Sequence, residues 1–309
     1  MGENHMEPVR ADQIKKVLIL GAGTMGQQIG FLCAAKGFET AIYDLSPPLL
    51  DTAKKRLEKL AGRFVSRHRL TGEEAAAAMA RVTLTPDSEQ AAANADFISE
   101  SVTESVEIKC RVFETFHPLC PARAIFTTNT SSLIPSMLTH AVGRPDRFAA
   151  FHFHNTLTSD IVDIMPHPGT TPETAETIRA FALRLGQVPI VFKKENHGYA
   201  FNALLMNLCD TALFLAAGGV AAIEDIDRSW MGIMHMKVGP FGIMDSIGLD
   251  TVLKVNEVWA NQLNDPRAIT NVEFLKKYVN EGKLGEKTGE GFYRYPDPAF
   301  RHKNFINQA

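Results

Sequence analysis

Between Phe151 and Met165 the chain reads FHFHNTLTSDIVDIM, with His152 and His154 one residue apart and Asp160 and Asp163 downstream. Imidazole titrates near neutrality, so a histidine held by a carboxylate is a natural pair for moving a proton. In AAFHFHN, strand alternation puts Phe151 and Phe153 on one face and Ala150, His152 and His154 on the other. Both histidines then face one side, and spacing alone does not choose between them. The acids are easier to rank. Asp163 lies inside the apolar run IVDIM, where an unpaired carboxylate is costly, so it calls for a donor such as either imidazole. Asp160 sits in a polar segment and is expected to be solvated.

A second set of residues reads as a nucleotide site. Gly21-Ala22-Gly23-Thr24-Met25-Gly26 is GxGxxG, preceded by the apolar run KVLIL and followed by a helical pattern, with Asp44 ending the next strand. The first glycine permits the tight turn, the second lets backbone approach a pyrophosphate, and the third packs helix on strand. Free N–H groups at the helix start, from Thr24 and Met25, suit an anion. Asp44 would accept from adenosine ribose hydroxyls, and no arginine follows it, which points to NAD over NADP. A hydride transfer from an alcohol to NAD needs a base for the hydroxyl proton, and the histidines supply candidates. Asn129-Thr130-Ser131-Ser132 follows the strand AIFTT and reads either as a polar site at the sheet's edge or as the cap of a helix over 134–139. Asn202, in the apolar helix YAFNALLMNLC, needs a partner that is either substrate oxygen or backbone.

The elements that would position these groups alternate. Strands are expected at Lys16–Leu20, Phe38–Asp44, Val82–Thr85, Asp96–Glu100, Ala124–Thr128, Phe148–Phe153, Ile161–Met165 and Val188–Phe192. Helices fall between many of them, including Gly21–Lys36, a hairpin of Pro47–His68 with a second helix capped at Thr71, Glu104–Leu119 and Pro172–Leu185. The pattern implies a mostly parallel α/β sheet of Rossmann type. After Lys194 the strand signal ends, and Tyr199–Ala217, Ile223–Met231, Gly242–Asn261 and Asn271–Glu281 read as helices. The expected domains are 1–195, a dinucleotide-binding α/β domain, and 196–309, all helical.

Composition narrows the class. The 309 residues carry a net charge of −3 and no basic block, which argues against a nucleic-acid partner. The four cysteines show no CxxC spacing, so neither a zinc knuckle nor a disulfide framework is expected, and no metal is called for. The N-terminal residues hold no apolar leader, and Tyr199–Ile223 is interrupted by Asn202, Asn207 and Asp210, so no membrane span is expected. A cytoplasmic protein acting on a small molecule is the expectation.

Taken together, the motifs resemble the 3-hydroxyacyl-CoA dehydrogenase family over nearly the whole chain. The resemblance rests on GAGTMG at 21–26, Glu104 with Lys109, NTSSL at 129–133, the HF…N segment at 152–155, HGYAFN at 197–202, VGPFGIMDSIGLD at 238–250 and GKLGEKTGEGFYRY at 282–295. It implies an NAD-binding domain, a helical domain forming a homodimer interface, and a substrate cleft between the two. It also selects His152 as the acid/base, because that histidine opens the family's HFFNP motif, and places the partner acid on Asp163. Ser131 and Asn202 correspond to groups on the reacting oxygen. Glu104, Lys109 and Asn129 correspond to positions around the nucleotide.

The chain departs from the family pattern in several places. Thr156 replaces the proline of HFFNP, His154 replaces a phenylalanine, Asp163 stands for a glutamate, and Ala203 follows Asn202 where an arginine is usual. The loop to the acid is one residue shorter. With the shorter acid, this predicts that His152 reaches Asp163 only through a backbone shift or a water. These features are similar to those of members acting on non-CoA hydroxy or keto substrates, such as gulonate dehydrogenase and diketoreductase. A non-catalytic, crystallin-like NAD-binding protein is the remaining alternative to an acyl-CoA dehydrogenase.

Overall fold

The computed structural model describes residues 8–263 and 266–307. Its contacts divide the chain into two units, Met1–Ala200 and Phe201–Ala309. The first holds, in chain order, β1 (Lys16–Leu20), α1 (Thr24–Ala35), β2 (Glu39–Tyr43), α2 (Pro47–Ser66), α3 (Gly72–Ala80), β3 (Val82–Thr85), α4 (Ser88–Ala92) and β4 (Phe97–Glu100). It continues with α5 (Val106–Phe116), β5 (Ile125–Thr128), α6 (Thr139–Val142), β6 (Phe148–Phe153), β7 (Ile161–Pro166), α7 (Pro172–Arg184) and β8 (Val188–Val191). The second unit is helical: α8 (Phe201–Ala217), α9 (Ile223–Met234), α10 (Pro240–Ile247), α11 (Leu249–Leu263) and α12 (Pro266–Val279). Among the described residues, no helix is long and apolar enough to cross a membrane.

All eight strands form one sheet in the order β3-β2-β1-β4-β5-β6-β7-β8. Every pairing is parallel except β6 with β7. Helical crossovers serve the parallel pairs. The segment from 154 to 160 is too short for a crossover, so it can only turn the chain back into an antiparallel neighbour. The strand order reverses between β1 and β4, which opens a crevice at the carboxyl edge. The turns after β1, β4 and β5 all lie along that edge, as does the end of β6. Because β7 runs the other way, its beginning comes to the same edge.

The two faces of β6 have different tasks. Ala149, Phe151 and Phe153 join the core cluster that contains α1 and α7 side chains. There Phe151 packs edge-on to Phe97 of β4 and Phe153, and Phe97 lies 4.3 Å from Phe181 between ring centroids. Emptying the Phe151 site by alanine would cost about 3–5 kcal/mol and loosen the strand that carries both histidines. The opposite face contributes Ala150 to a small cluster with Met165 and Tyr199.

The structure corrects three expected helices. A helix does not form over 134–139: Pro135 lacks an N–H and holds Ile134 extended, leaving a 3₁₀ turn before α6. The helix expected at Gly242–Asn261 breaks at Gly248 (φ 100°) into α10 and α11. The helix expected from Tyr199 starts at Phe201, because Gly198 and Tyr199 both have positive φ.

The dinucleotide-type glycines are unequal. A Cβ on Gly26 would sit 1.9 Å from the Gly21 carbonyl oxygen, whereas one on Gly23 meets nothing within 4 Å. Gly26→Ala is therefore expected to lower the melting temperature sharply, and Gly23→Ala to leave it within about 2 °C, as for a surface change of under about 0.5 kcal/mol. Thermal melts of the two variants would check this, and equal losses would contradict the packing argument.

Candidate active site

In the β6/β7 ladder His152 and Asp163 are direct cross-strand partners. His152 Nδ1 and Asp163 Oδ2 are 3.1 Å apart, and both residues are buried. Opposed residues in an antiparallel pair have Cβ atoms about 5 Å apart, so an aspartate is long enough and a glutamate is not needed. The expected backbone shift or bridging water is thus corrected: the contact is direct. His154 Nε2 also lies 3.1 Å from the same Oδ2. Burial pushes the Asp163 carboxyl up, but the hydrogen bonds and charge of the two histidines outweigh it and hold the pKa below the usual 3.8.

Asp160 is a second correction. It is not simply solvated, because the Arg69 guanidinium binds its carboxylate. Arg69 and Arg67, at and beyond the end of α2, also bond the carbonyls of Thr156 and Leu157 at 2.6 and 3.0 Å. Asn155 Oδ1 accepts from the Leu157 N–H, closing the turn from within.

The NTSS turn after β5 is organised by Glu104. Its Oε1 accepts from the Ser131 and Ser132 N–H groups at 3.0 Å, from Ser132 Oγ at 2.8 Å and from the Thr130 hydroxyl. Its Oε2 lies 3.3 Å from Lys109 Nζ. Lys109 is fully buried and also holds Glu100 Oε1 at 2.8 Å, so its charge orders carboxylates and does not face outward. Burial raises the Glu100 carboxyl against the pull of Lys109. For Glu104, burial acts upward but Lys109 and the turn's donors prevail, holding it below the ordinary glutamate value. Asn129 joins neighbouring strands, its Oδ1 accepting the Phe153 N–H at 2.8 Å.

Four residues that the sequence reading did not single out complete the set. The segment after β8 runs along the NTSS turn and the 3₁₀ turn that follows it, with alternate residues bonded to them. Glu195 accepts from the Ser136 N–H at 2.7 Å, His197 Nδ1 lies 2.8 Å from the Ser132 carbonyl oxygen, and the Tyr199 hydroxyl donates to the Thr130 carbonyl at 2.8 Å. Tyr199 also stacks on the His152 ring, with centroids 4.6 Å apart and planes at 15°. It therefore touches the imidazole and the turn at once. Its sequence signals are the alternation in ENHGY and its place in HGYAFN. Glu100, the fourth, carried the signal that betrayed Asp163: an acid within an apolar strand, FISE.

At the β1–α1 turn Gly21 has φ 106° and a Cβ there would meet the Ser101 carbonyl at 2.8 Å. Gly23 and Thr24 are exposed, Met25 is half-buried, and Gly26 is closed by packing. Asp44 accepts from the Ala22 N–H at 3.0 Å and the Ser46 N–H at 3.1 Å, which fixes its carboxylate beside the turn. An open backbone at Gly23, helix N–H groups behind it and a fixed acid at the β2 end fit a dinucleotide with free ribose hydroxyls. Asn202 lies in the first turn of α8 in the second unit, partly buried.

Residues 16–196 match the family description "3-hydroxyacyl-CoA dehydrogenase, NAD binding domain", and residues 198–295 match its C-terminal domain. A probable 3-hydroxybutyryl-CoA dehydrogenase of Bacillus subtilis is 32% identical over 286 residues, covering 92% of this chain and 99% of its own. Among solved structures, a diketoreductase described as acting on dicarbonyl compounds is 38% identical with TM-score 0.85, covering 91% of this chain and 99% of that one. The (S)-3-hydroxybutyryl-CoA dehydrogenase of Ralstonia eutropha is 29% identical with TM-score 0.82, covering 92% and 100%. The cofactor implied by the fold is NAD.

Two outcomes follow for stability. The Asp163 pKa is depressed, so its carboxylate stabilises the fold fully above about pH 4, and this is lost as pH falls through the folded value. In urea titrations Asp163→Asn should be less stable than wild type at pH 7, with the gap closing below that range; a gap independent of pH would contradict it. Tyr199→Phe, which strands the Thr130 carbonyl, should cost about 1–2 kcal/mol at neutral pH.

Proposed function

The chain belongs to the 3-hydroxyacyl-CoA dehydrogenase family, and from that premise we propose that it interconverts 3-hydroxyacyl-CoA and 3-ketoacyl-CoA with His152 as general acid/base. The observation that carries this reading is the buried His152–Asp163 pair, with Tyr199 joining it to the Ser131 turn. NAD, when bound, supplies the hydride acceptor. With Nδ1–H turned to Asp163, His152 keeps the Nε2 lone pair for the substrate hydroxyl proton, and Asp163 stabilises the resulting imidazolium. In reduction the same nitrogen returns the proton. Ser131 and Asn202 are the proposed donors to the substrate oxygen, where negative charge develops in reduction.

On this reading 1–195 is the NAD-binding domain, with Gly21, Gly23, Thr24, Met25, Gly26 and Asp44 on the dinucleotide. Glu104, Lys109 and Asn129 shape its nicotinamide side. The helical 196–309 serves substrate binding and homodimerisation. Exposed apolar side chains there, including Leu204, Val220 and Ile233, each more than two-thirds exposed, support a self-association face. The buried free cysteines suit a reducing cytoplasm.

A second substrate reading, a non-CoA hydroxy acid or dicarbonyl, is favoured by the 38% identity to diketoreductase and by Ala203 at the position of a family arginine. Comparing kcat/KM for acetoacetyl-CoA, acetoacetate, gulonate and a diketo ester separates the two.

His152→Ala should lower kcat by about 10²–10⁴-fold with NAD binding retained, while His154→Phe loses under about tenfold. Near-normal turnover of His152→Ala would overturn the assignment, and equal losses would move the base to His154. Light scattering after size exclusion should give twice 34.0 kDa.

A further inference from the structure

The sequence calls for no metal, because its four cysteines show no CxxC spacing. The fold nonetheless brings three ligating side chains together. His152 and His154 share one face of β6, and the antiparallel β7 sets Asp163 against both. Ligand atoms of the three lie within 4.8 Å of one another, and both histidine contacts fall on one oxygen, Oδ2, at 3.1 Å. In a tetrahedral zinc site, with bonds of about 2.0–2.2 Å, neighbouring ligand atoms stand about 3.3 Å apart. The two nitrogen–oxygen separations are already near that spacing. The rings are held from behind, His152 by the Tyr199 face and β6 by the Phe151 cluster.

The donor set specifies the ion. Two imidazole nitrogens and one carboxylate suit zinc and its transition-metal neighbours, whereas magnesium and calcium take oxygen ligands. Three protein ligands leave a fourth position for water, as in open zinc sites. His154 makes the third ligand, and it stands where the family's HFFNP motif has phenylalanine, so the set is not part of that motif.

We propose that His152, His154 and Asp163 form a binding site for a zinc-class divalent cation whose occupancy switches the proton-transfer site off. Coordination on the nitrogens that face Asp163 moves each ring's proton to its other nitrogen, with no net proton released from neutral rings. His152 then carries its hydrogen on Nε2 and has no lone pair for the substrate proton. The nucleotide turn at 21–26 takes no part, so NAD binding continues. The inhibitory consequence rests on the acid/base reading of His152; the binding itself does not.

The test titrates the full-length protein with zinc against a chromophoric chelator, reading binding without turnover. Wild type should take up one zinc per chain, and magnesium at the same concentration should not compete. His154→Phe should bind at least about 100-fold more weakly, since even the outer hydrogen-bond partners of metal ligands are worth 10–100-fold. His154→Gln, which keeps a polar side chain on the strand, should lose zinc equally. In parallel, zinc should inhibit NAD-dependent turnover of wild type reversibly with EDTA and leave NAD affinity unchanged. Each His154 variant, measured against its own zinc-free rate, should resist the same concentration. No zinc uptake by wild type, or uptake undiminished in both His154 variants, overturns the site. If zinc binds as described but His152→Ala retains turnover, the acid/base reading fails while the metal site stands.

Discussion

His152 meets Asp163 because β7 runs against β6, and β7 runs against β6 because only seven residues separate them. That single reversal in an otherwise parallel sheet brings the beginning of β7 to the carboxyl edge, where parallel strands deliver their ends. A parallel neighbour would have placed its acid one strand length away. The pairing also makes the contact a property of register. A slip of one residue would turn Asp163 into the apolar face and both histidines away from it. The aromatic packing of Phe97, Phe151 and Phe181 on the other face therefore maintains the polar pair.

Charge is managed differently a few strands away. Glu100 and Glu104 share one buried ammonium, and burying Lys109 with Glu100 costs more than one ion pair returns unless other donors join. Glu104 has them, in two backbone N–H groups and three hydroxyls of the NTSS turn, and remains a strong acceptor. Glu100, with Thr128 and the Val102 N–H, is more deeply buried, and desolvation prevails there. The result is a turn whose shape is set by a carboxylate beneath it. The segment leading to the second unit is fastened to the same turn through His197 and Tyr199, and to the 3₁₀ turn after it through Glu195.

Much of this was legible in the sequence, and for physical reasons. Alternation placed both histidines on one face, the cost of an unpaired buried charge selected Asp163, and the strand–glycine–helix context marked the nucleotide turn. What escaped was what depends on distance across the fold. Asp160 looked solvated because Arg69 lies 91 residues away in sequence. The resemblance places Lys109 toward the nucleotide, and the sequence does not show that Glu100 and Glu104 share its ammonium. Tyr199 read as the start of a helix, and its positive φ, which turns the ring onto His152, has no single-residue signature. Pro135 is visible in the sequence, and it holds Ile134 extended, out of the helix expected over 134–139.

The departures from the family pattern support one another. Thr156 stands where the motif has proline, and its N–H donates to Gln28 Oε1 at 2.9 Å, with both residues buried. A proline has no hydrogen to give, so at 156 it would leave the Gln28 amide oxygen without that bond. Gln28 belongs to α1, the helix that begins at the nucleotide turn, so the exchange ties the β6–β7 loop to the cofactor-side helix. Held there, and from the other side by Arg67 and Arg69, the loop can be short. A short loop sets β7 tightly against β6, and tight pairing lets an aspartate serve where the family uses a glutamate. His154, in place of phenylalanine, gives the buried carboxylate a second donor. Restoring the proline alone would therefore break a bond outside the His152–Asp163 pair and loosen the register on which that pair depends.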